Sequence, residues 1–300
     1  MNGVGLETAT CRGEYASPEV AEVNWRGWGP ARVGFAIGIS GLGVLCLFYG
    51  DFAEQWQSVP PWFPWPRGLT YASGAILLAG GIGLLFKRAA ARCALAVTAY
   101  QLIWVLVRGA GVVPHVTSIG PWQGFCEGLA LLSGSWILWA SLARADDPLR
   151  IELLDGERAM RVARILFGVS CVVFGLAHFA YAEFTAEMIP RWFPARLWLA
   201  YLTGACHVAA GVGIMSSIFA RLAATLEALM LSSFVLLVHV PSTAVAPPPE
   251  WAPSPQIQWT ELLLAWVLAA SAGIVATSLR DRPWGWSCVS ASSSAACSNR

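Results

Sequence analysis

Three of the four histidines in this 300-residue chain, His178, His207 and His239, fall in its second half within apolar sequence. His207 stands in LWLAYLTGACHVAAGVGI, and Glu227 stands a short way on in ARLAATLEALML. Titratable groups in such surroundings are costly and mark function, and imidazole is the side chain whose charge changes near neutral pH. With Glu183 and Glu261 they make six candidate ligand-binding residues: His207, Glu227, His178, His239, Glu183 and Glu261. Their chemistry has three readings. His207 and Glu227 can brace two helices through a hydrogen bond of about 0.6–2 kcal/mol. They can instead hold a ligand, such as a quinone headgroup, through its carbonyl. A metal site is the third reading; the histidines lie at different depths with no HxxxH or ExxH spacing, so no metal ligand is assigned. No catalytic residue is assigned either, because nucleophile triads, Walker sequences and dinucleotide fingerprints are absent. The eight cysteines form no CxxC pair; Cys46, Cys126, Cys171 and Cys206 read as small hydrophobes within apolar runs.

These residues must be positioned by helices in lipid. The chain is 56% hydrophobic and 12% charged, with a mean hydropathy of +0.58. Soluble domains carry roughly twice that charge fraction. Apolar runs near 31–50, 69–86, 89–107, 122–142, 162–181, 196–215, 220–240 and 259–279 are each long enough for a hydrocarbon core of about 30 Å. The third is the weakest, bracketed by Arg92 and Arg108. Backbone polar groups in lipid are satisfied within a helix, so the expected fold is all-α, with about eight transmembrane helices. The bilayer is the first partner, and a net charge of +1 points to no nucleic acid.

Of the 19 Lys and Arg, only Arg67, Arg108, Arg191 and Arg196 fall in one set of alternate loops, leaving 15 in the other set and the termini. Positive residues favour the cytoplasm, so both termini are expected there. The basic-poor loops hold SVPPWFPWP, IPRWFP and PSTAVAPPPEWAPSP, with Trp62, Trp192 and Trp259 as interface anchors. The expected organisation is a cytoplasmic segment 1–30, a four-helix unit 31–142, a cytoplasmic linker 143–161, a second unit 162–279 and a disordered cytoplasmic tail 280–300.

The units match at an offset of 130. Pro60, Trp62, Phe63 and Pro64 recur as Pro190, Trp192, Phe193 and Pro194, and Gly74 and Gly81 recur as Gly204 and Gly211. Such gap-free agreement marks a tandem duplication. Four spans per unit make the two copies parallel, hence two parallel four-helix bundles. Gly34, Gly38, Gly74, Gly81, Gly204 and Gly211 read as helix-packing positions. At the places of His178, His207, His239 and Glu227 the first unit has Phe48, Leu77, Gly109 and Val97, so a single site in the second unit is expected, with Glu227 as its one deep acid. At a rise of about 1.5 Å per residue, His207 lies about 16 Å and Glu227 about 20 Å from the Pro/Trp-rich end, within reach of each other. His178, His239, Glu183 and Glu261 are placed near that interface.

The stretch HFAYAEFTAEMIPRWFPARLWLAYLTGACHVAAGVGI at 178–214, with HVP at 239–241, resembles the DoxX-like membrane proteins. The resemblance covers 162–279 and, in degenerate form, 31–142; many relatives carry Glu where this chain has His207. It implies a bacterial plasma-membrane protein, non-catalytic alone, serving as an accessory component of a membrane redox system, with quinone as cofactor and a redox protein as partner. A small-molecule transporter with its site between the units, and a structural or assembly protein, are the alternatives.

Overall fold

The computed structural model of the protein describes residues 29–53, 56–57, 59, 67–143, 152–245 and 248–284. Trp62 and its loop, most of the N-terminal segment, the centre of the 143–161 linker and the tail beyond 284 lie outside the described residues. Every regular element among the described residues is helical. The long helices are α1 (Gly29–Tyr49), α2 (Arg67–Leu84), α3 (Ala90–Val112), α4 (Ile119–Leu142), α5 (Glu157–Ala180), α6 (Arg196–Ser216), α7 (Ala220–Ser242) and α8 (Pro255–Ser278).

Seven of these are long and apolar enough to cross a membrane. The exception is α2, not the third run that the flanking arginines had made weakest. In α2, 18 residues open on Arg67 and include Gly68, Gly74, Gly80, Gly81 and Gly83. The third run instead continues past Arg108 through a 3₁₀ turn at Val113–His115. Ends follow local chemistry. The α1 helix takes in Gly29 and Pro30, and α5 takes in the last residues of the expected linker. The α8 start has Pro255 in its first turn and Ser254 as cap, its Oγ accepting the Ile257 N–H at 3.2 Å.

The glycines settle which helices touch. A Cβ at Gly74 would stand 3.0 Å from the Gly43 carbonyl, and one at Gly81 2.7 Å from the Ala36 carbonyl, so α2 lies backbone to backbone on α1. In the second half a Cβ at Gly204 would meet the Gly175 carbonyl at 3.1 Å, and one at Gly211 the Gly168 carbonyl at 2.4 Å, seating α6 on α5 in the same way. Gly34 and Gly38 serve a different seam. They face α8, where Trp266 donates its indole N–H to the Gly34 carbonyl at 2.8 Å and Val267 sits against Gly38.

Helix order around the bundle follows. Each of α1–α2, α3–α4, α5–α6 and α7–α8 packs closely, α4 packs on α5, α8 packs on α1, and α4 and α8 meet at the centre. There a Cβ at Gly134 would stand 2.5 Å from Ser271 Oγ. The α4 and α8 spans are the most buried of the seven, whereas Leu106, Leu229, Leu236 and many other large apolar side chains point outward. At one end Arg164 ties α5 to α8 by donating to Ser278 Oγ at 2.9 Å and the Ser278 carbonyl at 3.0 Å. Arg221 donates to the Arg280 carbonyl at 2.7 Å and lies over Trp284.

The seam makes a graded prediction. Gly211→Ala drives a Cβ into backbone that cannot rotate away and is expected to cost about 1–3 kcal/mol. Gly111→Ala, where a Cβ meets nothing within 4 Å, is expected to be neutral or slightly stabilising. Thermal unfolding of the two purified variants in one detergent checks this, and equal midpoints would remove the seam from the account.

Candidate functional site

The α5–α6 seam brings His207 to the centre of the second half. The His207 and Glu227 side chains are both about 1% exposed and face each other, with His207 Nδ1 2.7 Å from Glu227 Oε1. A carboxylate only accepts, so Nδ1 carries the hydrogen. The second oxygen, Oε2, is buried with no hydrogen-bond partner. Depth along two helices made this pair legible, because each residue stands mid-helix in an apolar run.

Around the pair the structure builds a ring box. His178 lies 4.9 Å from His207 between ring centroids, and Phe174 and Phe234 lie 5.9 Å from it on either side. His178 Nδ1 is 2.9 Å from the Phe174 carbonyl, which also only accepts, so this hydrogen is on Nδ1 and the neutral ring presents Nε2 as an acceptor. His178 is therefore a neighbour of His207. Its placement follows from Gly204, over which the His178 Cβ lies.

His239 is 7% exposed, again deeper than its sequence position near a helix end implies. It closes a π-helical turn at Val235–His239. Pro241 cannot donate a backbone hydrogen bond and crowds the preceding turn, and the wider turn relieves that conflict. His239 packs edge-on against Trp251 at 5.8 Å, and its Nδ1 is buried without a partner.

All three histidines line one cavity of about 540 Å³, at the end of the bundle where α5 and α7 finish and α4 and α8 begin. Glu261 of α8 lines it too. Much of its wall is apolar or aromatic: Phe174, Phe184, Phe234, Leu231, Leu264 and Leu268. Glu183 does not join them. It is exposed on the short helix Ala182–Met188, whose Phe184, Thr185 and Met188 face the cavity instead. Trp192, 70% exposed and stacked on Phe193, and Trp259 lie at the same end.

The site is not built from the second half alone. Gly120, Gln123 and Glu127 of α4 form one wall, which corrects the expectation that Glu227 is the one deep acid. Glu127 accepts from Gln123 Nε2 at 3.4 Å, and the Arg108 guanidinium lies directly over Gly124, one turn away. Sequence reasoning passed over Glu127 because it treated the first half as having lost its polar residues. A lone acid in the run GFCEGLALL was the signal. Among the described residues no group of three His, Cys, Asp or Glu is arranged to hold a metal ion.

The first half holds a closed polar cluster in its interior. Gln57 is buried, accepting from the Ala53 N–H at 3.0 Å and the Cys46 thiol at 3.5 Å, and donating to Ser73 Oγ at 3.3 Å and to the Tyr100 hydroxyl. Trp56 packs beside it at 0% exposure. Ser73 and Trp104 stand 130 residues before Thr203 and Phe234, which line the cavity.

The model of a family described as a domain of unknown function (DUF8561) matches residues 167–276. That stretch holds the three histidines, Glu227 and Glu261 but not the α4 wall. No curated protein and no solved structure matches the chain.

Removing one partner of a buried hydrogen-bonded pair leaves the other unsatisfied, at roughly 1–3 kcal/mol and more where the orphan is charged. His207→Leu and Glu227→Leu are each expected to destabilise strongly, and the double variant by less than the sum. A double-mutant cycle on thermal stability measures this. Additive effects would mean that the two side chains do not interact.

Proposed function

We propose that the protein is a membrane-embedded binding protein for a lipid-soluble small molecule, held between the last helix of the first half and the whole of the second. The cavity carries this reading. Ligand sites are concave, mostly apolar, a few hundred Å³ in volume and furnished with a few convergent polar groups, which describes the lining of this one. Buried His239 Nδ1, without a protein partner, is a polar atom left for a ligand to satisfy.

The wider frame of the proposal is a tandem duplication with eight membrane helices, including α2, in two parallel four-helix units that interlock through α4–α5 and α8–α1. The paired glycine seams and the helix bounds that recur at the offset of 130 support it. Both termini are cytoplasmic in this frame, since the arginine-tied end of the bundle belongs with the basic loops. The cavity then opens toward the outer leaflet of a bacterial plasma membrane.

Movement of the ligand across the membrane, and its presentation to a redox partner, are the two uses. Transport is favoured by a cavity at the junction of the halves. The DoxX-like resemblance favours the quinone-linked accessory role, and the box of Phe174, His178, His207 and Phe234 is of a kind to stack a planar ring.

Native mass spectrometry of the purified protein, with thermal stability measured against added ligands, tests the site. A co-purifying or added lipid-soluble molecule is expected to raise the unfolding midpoint of the wild type. Thr203→Phe, which fills the cavity, is expected to abolish that shift. A shift that survives Thr203→Phe would place the ligand elsewhere and end the proposal. Short-chain quinones stabilising the protein would favour the redox role; uptake of another ligand into proteoliposomes would favour transport.

A further inference from the structure

The cavity's charge is unbalanced. Two carboxyls, Glu127 and Glu261, line it from the central helices α4 and α8, yet no Lys or Arg is among the described lining residues. Arg108, over Gly124, offsets Glu127 from outside the lining. Glu261 has neither an ion pair nor a hydrogen bond to any described residue. A carboxylate in apolar surroundings is costly unless something positive or a proton neutralises it.

Resting on the reading of this cavity as a ligand site, we propose that it receives a lipophilic organic cation, which binds at Glu261 and Glu127 in competition with protons. Four observations converge on that class. The carboxylates supply the opposite charge. His178 presents an acceptor nitrogen to the same space. His239, more than nine-tenths buried, lines it too, and its Nδ1 has no partner among the described residues. The rings of Phe174, Phe184, Phe234 and Tyr181 offer negative faces to a cation. An anion would meet no Lys or Arg, and a metal ion no set of three close ligands, among the described lining residues.

The pH dependence has a definite sign. The titratable groups around Glu261 are Glu127 on α4, His178 on α5, Tyr181 just beyond it, His207 on α6 with its partner Glu227 on α7, and His239 on α7; Arg108 on α3 is the nearby fixed charge. Lowering the pH protonates Glu261 and Glu127 and removes the charge that attracts a cation, so its affinity falls as pH falls.

Tetraphenylphosphonium, which does not titrate, and tetraphenylborate, of the same shape and opposite charge, are the probes. Binding to the full-length protein in lipid nanodiscs is measured by equilibrium dialysis. The phosphonium is expected to bind at least about tenfold more tightly than the borate, and more weakly at about pH 4.5 than at about pH 8. Glu261→Gln is expected to lower phosphonium affinity about tenfold and flatten its pH dependence, while Glu261→Asp retains most of it. Glu127→Gln is a second variant, expected to act in the same direction. Thr203→Phe is expected to abolish binding. Equal binding of the two ions, removed by Thr203→Phe, would overturn the cation assignment and leave the ligand site standing. Phosphonium binding that both Gln variants leave unchanged would also overturn it. Phosphonium binding untouched by Thr203→Phe, or none at all to a folded wild type, would overturn it as well, the former taking the cavity reading with it.

Discussion

Backbone contact between helices is the constraint on which the rest depends. Where Gly204 meets Gly175 and Gly211 meets Gly168, α6 lies so close to α5 that no side chain fits between the main chains. Apolar tails give helices in lipid little reason to associate, so close packing must supply it. The approach has a second effect. It puts His178 over Gly204 and fixes His207 one turn further along α6, so the two imidazoles stand 4.9 Å apart with no freedom to separate. A larger residue at 204 would therefore disturb the site as well as the fold.

The same seam on the first half, through Gly74 and Gly81, supports no such site. Leu77 and Val97, both fully buried, stand where the second half has His207 and Glu227. Trp56 and Gln57 fill the space above, and the Gln57 amide bonds across the segment, α1, α2 and α3. In the first half the chain after the first helix packs inward through Trp56 and Gln57. In the second half that chain forms the short helix 182–188 and leaves the interior open. A polar cluster satisfied by its own chain has nothing to offer a ligand, whereas His239 Nδ1 and Glu261 do.

What the sequence made legible was whatever depends on position along one helix. Apolar runs gave the long helices, and depth gave the meeting of His207 with Glu227. What depends on which helices adjoin was not legible. Glu127 lies in the first half by number and in the second half's cavity by packing, because α4 turns to α5 and α8. Glu183 and Phe184 are adjacent in sequence, and only the docking of their short helix decides that the phenyl ring faces the cavity. The burial of His239 depends on a π turn set by Pro241, a local event that helical periodicity does not register. Gln57 was invisible for a similar reason: a loop glutamine reads as surface until the loop is seen to turn inward.

The placement of the acids then gains a physical sense. The α4 and α8 helices are the most buried, and at their other turns they meet through small residues such as Gly134 and Ser271. Closely packed, low-dielectric ground is the costliest place for a carboxyl and also where its electrostatic pull reaches furthest. A carboxyl on an outer helix could turn toward the lipid headgroups and escape. On the central helices Glu127 and Glu261 have no such exit; Arg108 meets the charge of Glu127 from outside the cavity, and the cavity is where the charge of Glu261 can be met. Structural bracing would need one acid with one partner, as His207 supplies to Glu227. Glu261, which has none among the described residues, is what distinguishes a receptive site from a braced bundle.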